Sequence, residues 1–289
     1  MEKKATQNKL IRALKEIGIL VLIVFLFNSF VLASFEVPTG SMENTVMTGD
    51  FLLVNKFILG GRTLEVIPYT GIHLPHLRVP GFRDVRRGDI IVFEFPGLRD
   101  EREAKEFTYY LKRCVALAGD TVQVINKILY VNGVRAPLPE YVKFLLSAPR
   151  SAGIPDPEIF PVGAPFNADN FGPLRVPKKG DVIKLSRETI RAWHTFIERE
   201  GHDVRIDGNA ILIDGKQRSE YVVERDYLFG MGDNRDDSLD SRYWGFVPRT
   251  GVVGTPLIVY WSWNPDIPIY RVFDKLASIR WNRIGRLIE

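Results

Sequence analysis

Nineteen consecutive residues without a charge, Ile17 to Phe35, constrain this chain more than any other feature. The run is dominated by Ile, Leu, Val and Phe, is bounded by Glu16 and Glu36, and is diluted only slightly by Asn28 and Ser29. As a helix it would rise about 28 Å, against a hydrocarbon core of roughly 30 Å. A buried core helix and a cleaved signal sequence ending at Val31-Leu32-Ala33 are the competing readings. The first would show an amphipathic stripe, which is absent, and the second has an apolar region of only ~7–15 residues. The length therefore favours a transmembrane anchor over residues 17–35, and no later stretch qualifies as a second span.

Lys3, Lys4, Lys9, Arg12 and Lys15 precede the run. The positive-inside bias keeps residues 1–16 cytoplasmic and carries everything after Glu36 across the membrane. The expected arrangement is a single pass through the inner (plasma) membrane, with the bulk of the chain on the extracytoplasmic, periplasmic side. With 45% hydrophobic and 26% charged residues among 289, the composition is that of a globular protein and not a disordered one. A net charge of +4 without a long cationic tract argues against a nucleic-acid partner. Cys114 is the sole cysteine, which excludes an intramolecular disulfide and a multi-cysteine zinc site.

Beyond the anchor, short runs rich in Val, Ile, Phe and Tyr alternate with Gly, Pro and Asp. Strands are expected at Val37, Phe51–Val54, Asp89–Phe95, Tyr109–Leu117, Thr121–Tyr130, Ala210–Ile213 and Gly254–Trp261. Asn132-Gly133 and Asp214-Gly215 are hairpin turn signals and imply antiparallel pairing. One soluble helix is expected over Arg187–Glu200, with Ser186 as N-cap and Gly201 ending it. Residues 136–179 carry nine prolines and are not expected to hold a regular ladder. The fold class that results is mainly β: an antiparallel sheet core (36–135 and 225–270), an inserted α/β subdomain (136–224) and the N-terminal helix. Residues 271–289 alternate Val272, Leu276, Ile279, Ile284 and Leu287 with Arg and Lys, as in a basic amphipathic helix lying on anionic lipid or a solvated closing helix.

Three stretches carry side chains suited to chemistry. Pro38-Thr39-Gly40-Ser41-Met42 places a serine where the backbone is uncrowded, so its hydroxyl and N–H can both face a bound carbonyl. Taken alone it is an ordinary turn. Lys112, in Tyr110 to Asp120, would lose part of its ammonium character if it faced inward, although strand periodicity by itself puts it on a polar face. Gly232 to Gly245 is dense in acids, amides and arginine, which also suits a loop of Asx turns and ion pairs. It fails the helix–loop–helix calcium pattern at Arg235, Ser238 and Trp244. His73, His76, His194 and His202 fall outside all three stretches.

The order anchor, P-T-G-S-M, R-G-D-I-I-V-F, Y-L-K-R-x-V-x-L-x-G-D and G-D-N-R-D-x-S-x-D-S-R-Y-W-G-F-V-P resembles the bacterial type I signal peptidases, in blocks spanning Phe35 to Val247. The resemblance implies an antiparallel β catalytic domain beside the membrane. It further implies a Ser/Lys serine endopeptidase that removes signal peptides after small-x-small residues through an acyl-enzyme. Matched position by position, Ser41 corresponds to the nucleophile and Lys112 to the general base. Thr39 supplies the hydroxyl that joins the Ser41 N–H in the oxyanion hole, and Ser238 orients the lysine. Met42, Asp233, Arg235, Asp240 and Arg242 match structural members of the site. Asp237 replaces the commoner asparagine, and the single span departs from relatives with two. No metal or cofactor is implied. The implied partners are preprotein signal peptides, the lipid bilayer and the secretion machinery, for a monomeric protein. A self-cleaving repressor-type Ser/Lys protease shares the logic but lacks an anchor. A tethered β-module with no activity is the rival outside enzymes.

Overall fold

The structure, a computed structural model, describes residues 2–63, 77–208 and 210–288, with the side chains of 2–10 excepted. Helix α1 runs Glu2–Phe30, and its segment Ile11–Phe30 is long and apolar enough to cross a membrane. The helix stops five residues short of the expected end of the anchor. Leu32–Glu36 instead form strand β1, which pairs antiparallel with β2 (Asp50–Asn55) from Leu32↔Asn55 to Glu36↔Phe51. An unbroken apolar run does not reveal this change, because buried strand and membrane helix have the same composition there.

Strands β3 (Ile90–Glu94) and β4 (Tyr109–Ala116) follow, paired from Ile90↔Arg113 to Glu94↔Tyr109. Ile90 and Val92 pack into one core with Leu52 and Val259, while Ile91 and Phe93 pack into another with Trp244 and Leu228. Both faces of the sheet are therefore covered, which explains a continuous Ile-Ile-Val-Phe run where a half-exposed strand would alternate.

The stretch expected as one strand at 121–130 is a hairpin, β5 (Thr121–Ile125) and β6 (Ile128–Val131). Asn126 and Lys127 turn the corner at φ 48° and 70°. Asn126 suits a left-handed corner, but Lys127 in place of glycine leaves the pair without the Asn-Gly hairpin signature. Strands β7 (Val134–Arg135) and β8 (Phe171–Arg175) complete a separate four-stranded sheet in the order β7-β6-β5-β8, so residues 121–135 side with the insertion and not with the main sheet. The proline-rich excursion thus does hold a strand. Pro173 is tolerated because β8 is an edge strand whose pairing to β5 shifts register at that point.

The insertion continues with β9 (Val182–Lys184), α2 (Arg187–Arg199), β10 (Val204–Asp207), β11 (Ala210–Ile213), β12 (Lys216–Gln217) and β13 (Glu220–Val222). Ser186 caps α2 by accepting from Thr189 N–H, as expected. The chain returns through β14 (Tyr227–Met231), the short helix α3 (Ser241–Trp244), β15 (Val247–Pro248) and β16 (Val252–Ser262). The main sheet has the order β1-β2-β16-β3-β4-β14-β15, antiparallel throughout.

The C-terminal segment is not one amphipathic helix. It has a six-residue helix α4 (Val272–Ala277), a 3₁₀ turn at Trp281–Arg283 and an extended end that bonds β16 through Val259 N to Arg286 O (3.0 Å) and Ile288 N to Leu257 O (3.0 Å). Two of its cations are buried. Lys275 donates to Asn264 O (2.7 Å), and Arg283 forms a bidentate pair with the fully buried Asp50 (2.5 and 2.9 Å). Burial of Asp50, 233 residues away in sequence, decided the conformation of this segment.

Candidate active site

Ser41 lies in a single 3₁₀ turn, Gly40–Met42, where the chain leaves β1 and before it enters β2. Met42 is 1% exposed and plugs the core beneath the turn. Asn234 fixes the turn from above, its N–H donating to Ser41 O (3.1 Å) and its Nδ2 to Gly40 O (3.1 Å). Gly232 permits this approach, since a Cβ there would stand 2.5 Å from Ser41 O.

Lys112 sits opposite Ile91 in β4 and is 3% exposed, so it faces inward. Its Nζ lies 2.5 Å from Ser41 Oγ and 5.6 and 6.0 Å from the rings of Tyr110 and Trp244. Burial lowers its pKa from 10.5 to about 8. Asp240 and Asp233 pull it back up, and Arg242 pushes it down. Gly230 in β14 gives the side chain room, because a Cβ there would come within 3.1 Å of Lys112 Cβ.

The acidic loop supplies the frame. Asp233 accepts hydrogen bonds from Arg113 Nε (2.9 and 3.3 Å) and Nη2 (2.7 Å) and one from Thr45 Oγ1 (2.6 Å), tying β4 to the segment after Ser41. Asp240 is wholly buried and caps α3. Burial works to raise its carboxyl, yet the Arg242 charge and the hydrogen bonds of Arg242 and Gly232 N–H hold it below the usual carboxylate range. Arg235 does not reach Ser41; it lines a separate cavity of about 450 Å³ with Phe144 and Leu145.

Ser238 Oγ is buried with no hydrogen-bond partner, so the expected bond to Lys112 is not formed. Thr39 is exposed on the rim, with Oγ1 3.4 Å from Ser41 Oγ. Asp237 is also exposed on the rim. His194 pairs with Glu198, and His202 with Asp214 and Glu224, within the insertion. His73 and His76 lie outside the described residues. The groove over Ser41 and Lys112 has a volume of about 450 Å³ and is walled by Phe35, Val37, Leu52, Tyr109, Leu111 and Leu239.

A buried amine at hydrogen-bond distance from a serine hydroxyl, at the floor of an apolar groove, suits acyl transfer. The family model for signal peptidase, peptidase S26, matches residues 10–261. The chain belongs to this signal peptidase family. Signal peptidase I of Pseudomonas aeruginosa is 31% identical over 279 residues, which are 92% of this chain and 77% of that protein. Signal peptidase I of Buchnera aphidicola subsp. Schizaphis graminum is 29% identical over 296 residues, 99% of this chain and 85% of that protein. A solved signal peptidase I from Enterococcus faecalis V583 aligns at 20% identity over 60% of this chain and 97% of its own, with a TM-score of 0.26.

Membership makes the chain a serine peptidase of signal-peptide removal, and its N-terminal apolar helix fits the membrane anchoring of the family. Within this signal peptidase, the sequence reading gave no role to Arg113, Gly230, Gly232 or Asn234. Arg113 carried a signal that went unused: a second cation in an apolar strand, beside Lys112, requires a buried partner.

Proposed function

We propose that Ser41 is the nucleophile and Lys112 the general base of an acyl-enzyme mechanism that cuts preproteins after small-x-small residues. The observation that carries this reading is the 2.5 Å approach of Lys112 Nζ to Ser41 Oγ, with the lysine withheld from water and its pKa brought down to about 8. The neutral amine takes the Ser41 proton as Oγ attacks the carbonyl carbon of the signal peptide's last residue. Negative charge develops on the carbonyl oxygen, against the Ser41 N–H and the Thr39 hydroxyl. The protonated Lys112 then gives its proton to the leaving amine, and the amine form activates water to hydrolyse the ester.

The apolar walls of the groove favour small apolar side chains of the substrate over charged ones. An anchor in the inner membrane, with the N-terminus cytoplasmic, keeps the groove on the side where signal peptides emerge from the secretion machinery. A serine-directed acylating probe tests the assignment. Labelling and preprotein cleavage should both disappear in Ser41→Ala; persistence of either refutes Ser41 as nucleophile.

A further inference from the structure

The apolar helix does not end in a free linker. Its residues are exposed from Ile11 to Asn28 apart from a half-buried Phe25, and then Ser29 is fully buried. Three contacts hold this end. Lys56 N–H donates to Val31 O (2.9 Å), and Lys56 Nζ donates to Asn28 O (3.0 Å). Gly61 packs against Phe30 so closely that a Cβ would stand 2.5 Å from both Phe30 Cα and Phe30 O.

The last carbonyls of a helix have no partner within it and carry the negative end of its dipole, so a cation is favoured there. Lys56 fills that place at 3% exposure. The arrangement is otherwise adverse to it, since burial and the nearby Arg62 lower its pKa to about 8, with Glu94 pulling back. A lysine merely near the helix would turn to water. Gly61, unlike its neighbour Gly60, is not in the left-handed region, so its backbone does not demand glycine; the approach of Phe30 does.

From this clamped end the chain passes directly into β1, whose five residues span about 17 Å. It then enters the turn that carries Ser41. Anchor and groove are thus joined by one sheet strand and not by a flexible tether.

We propose that Lys56 and Gly61 are positioning residues that seat the β-sheet on the end of the membrane helix, and so fix the height and tilt of the Ser41–Lys112 groove above the bilayer for a substrate held in that same bilayer. The inference rests on the signal-peptide reading above. Neither residue touches the groove, so a soluble substrate that finds it by diffusion does not need the clamp.

The test uses the full chain in liposomes, with Lys56→Met and Gly61→Ala. Two substrates are compared: a short soluble peptide containing a small-x-small cleavage site, and a preprotein inserted in the same liposomes. Spin labels at Ile19→Cys and Lys105→Cys report the distance between helix and sheet domain. The expected result is a tenfold or greater fall in kcat/KM for the preprotein, less than a twofold change for the peptide, and a broadened distance distribution. Equal losses on both substrates, or distributions as narrow as in the parent, overturn the proposal. A parent protein that cuts neither substrate, with distributions that still broaden in the variants, sinks the signal-peptide reading and upholds the clamp.

Discussion

Lys112 Nζ and Ser41 Oγ stand 2.5 Å apart although 71 residues separate them, and each is held by a different part of the acidic loop. Asn234 fixes the serine turn, and Asp240 with Arg242 builds the buried field around the lysine.

The base assignment predicts that Lys112→Arg reduces preprotein cleavage to background in folded protein. The variant keeps the charge, but a guanidinium is not deprotonated in proteins. In the parent enzyme kcat/KM should rise about tenfold per pH unit below about 8 and level off above it, since only the amine form accepts the serine proton. A flat profile between pH 6 and 9, or an active Lys112→Arg, excludes Lys112 as base.

Stability should follow the same group. The folded-state pKa of Lys112 lies below its unfolded value, so the folded protein binds fewer protons between about 8 and 10.5 and gains stability as pH rises through that window. Below pH 8 the buried ammonium has an unfavourable effect of up to about 3 kcal/mol. Lys56 acts with the same sign. Thermal unfolding in detergent, measured from pH 7 to 11, should show a shallower rise for Lys112→Met than for the parent. An identical rise contradicts the burial argument.

Thr39→Val keeps the shape of the rim and deletes a hydroxyl. A lost oxyanion donor lowers turnover by ~10²–10³ with little change in KM. Steady-state kinetics on the preprotein decide the matter, and unchanged kcat removes Thr39 from the mechanism.

Gly232→Ala places a methyl group against Ser41 O and Ser238, where the backbone of the serine turn must shift. Destabilisation of about 1–3 kcal/mol is expected, together with a loss of activity beyond what that accounts for in protein still folded at assay temperature. Denaturant unfolding and kcat measured on the same preparation check it; full activity would show that the turn can move freely.

Arg283→Met leaves Asp50 buried without its bidentate partner, and breaking one side of such a pair is destabilising by about 3–5 kcal/mol. Asp50 also accepts from Met47 N–H and Ser262 Oγ, so the loop between Ser41 and β2 should loosen first. Hydrogen exchange at residues 43–50 reads this directly. Unchanged exchange and stability refute a structural role for the C-terminal segment.

Much of this protein is written locally. The presence of an N-terminal apolar helix, the Ser186 cap of α2 and the left-handed turns at Asn132-Gly133 and Asp214-Gly215 follow from composition and backbone preference within a few residues, and the structure contains each of them. The motif blocks point to Ser41 and Lys112 because each is a string of neighbouring residues. Tertiary structure decided what depends on distant partners. Leu32–Phe35 became strand because β2 offered them hydrogen bonds, and Pro173 entered a sheet because its strand lies at an edge. Residues 280–288 lost their helix to Asp50 and β16. Above all, the inward face of Lys112 was set by the field of Tyr110, Trp244, Asp240 and Arg242 around it. Strand periodicity fixes which residues share a face, but only packing between elements far apart in sequence determines which face is buried.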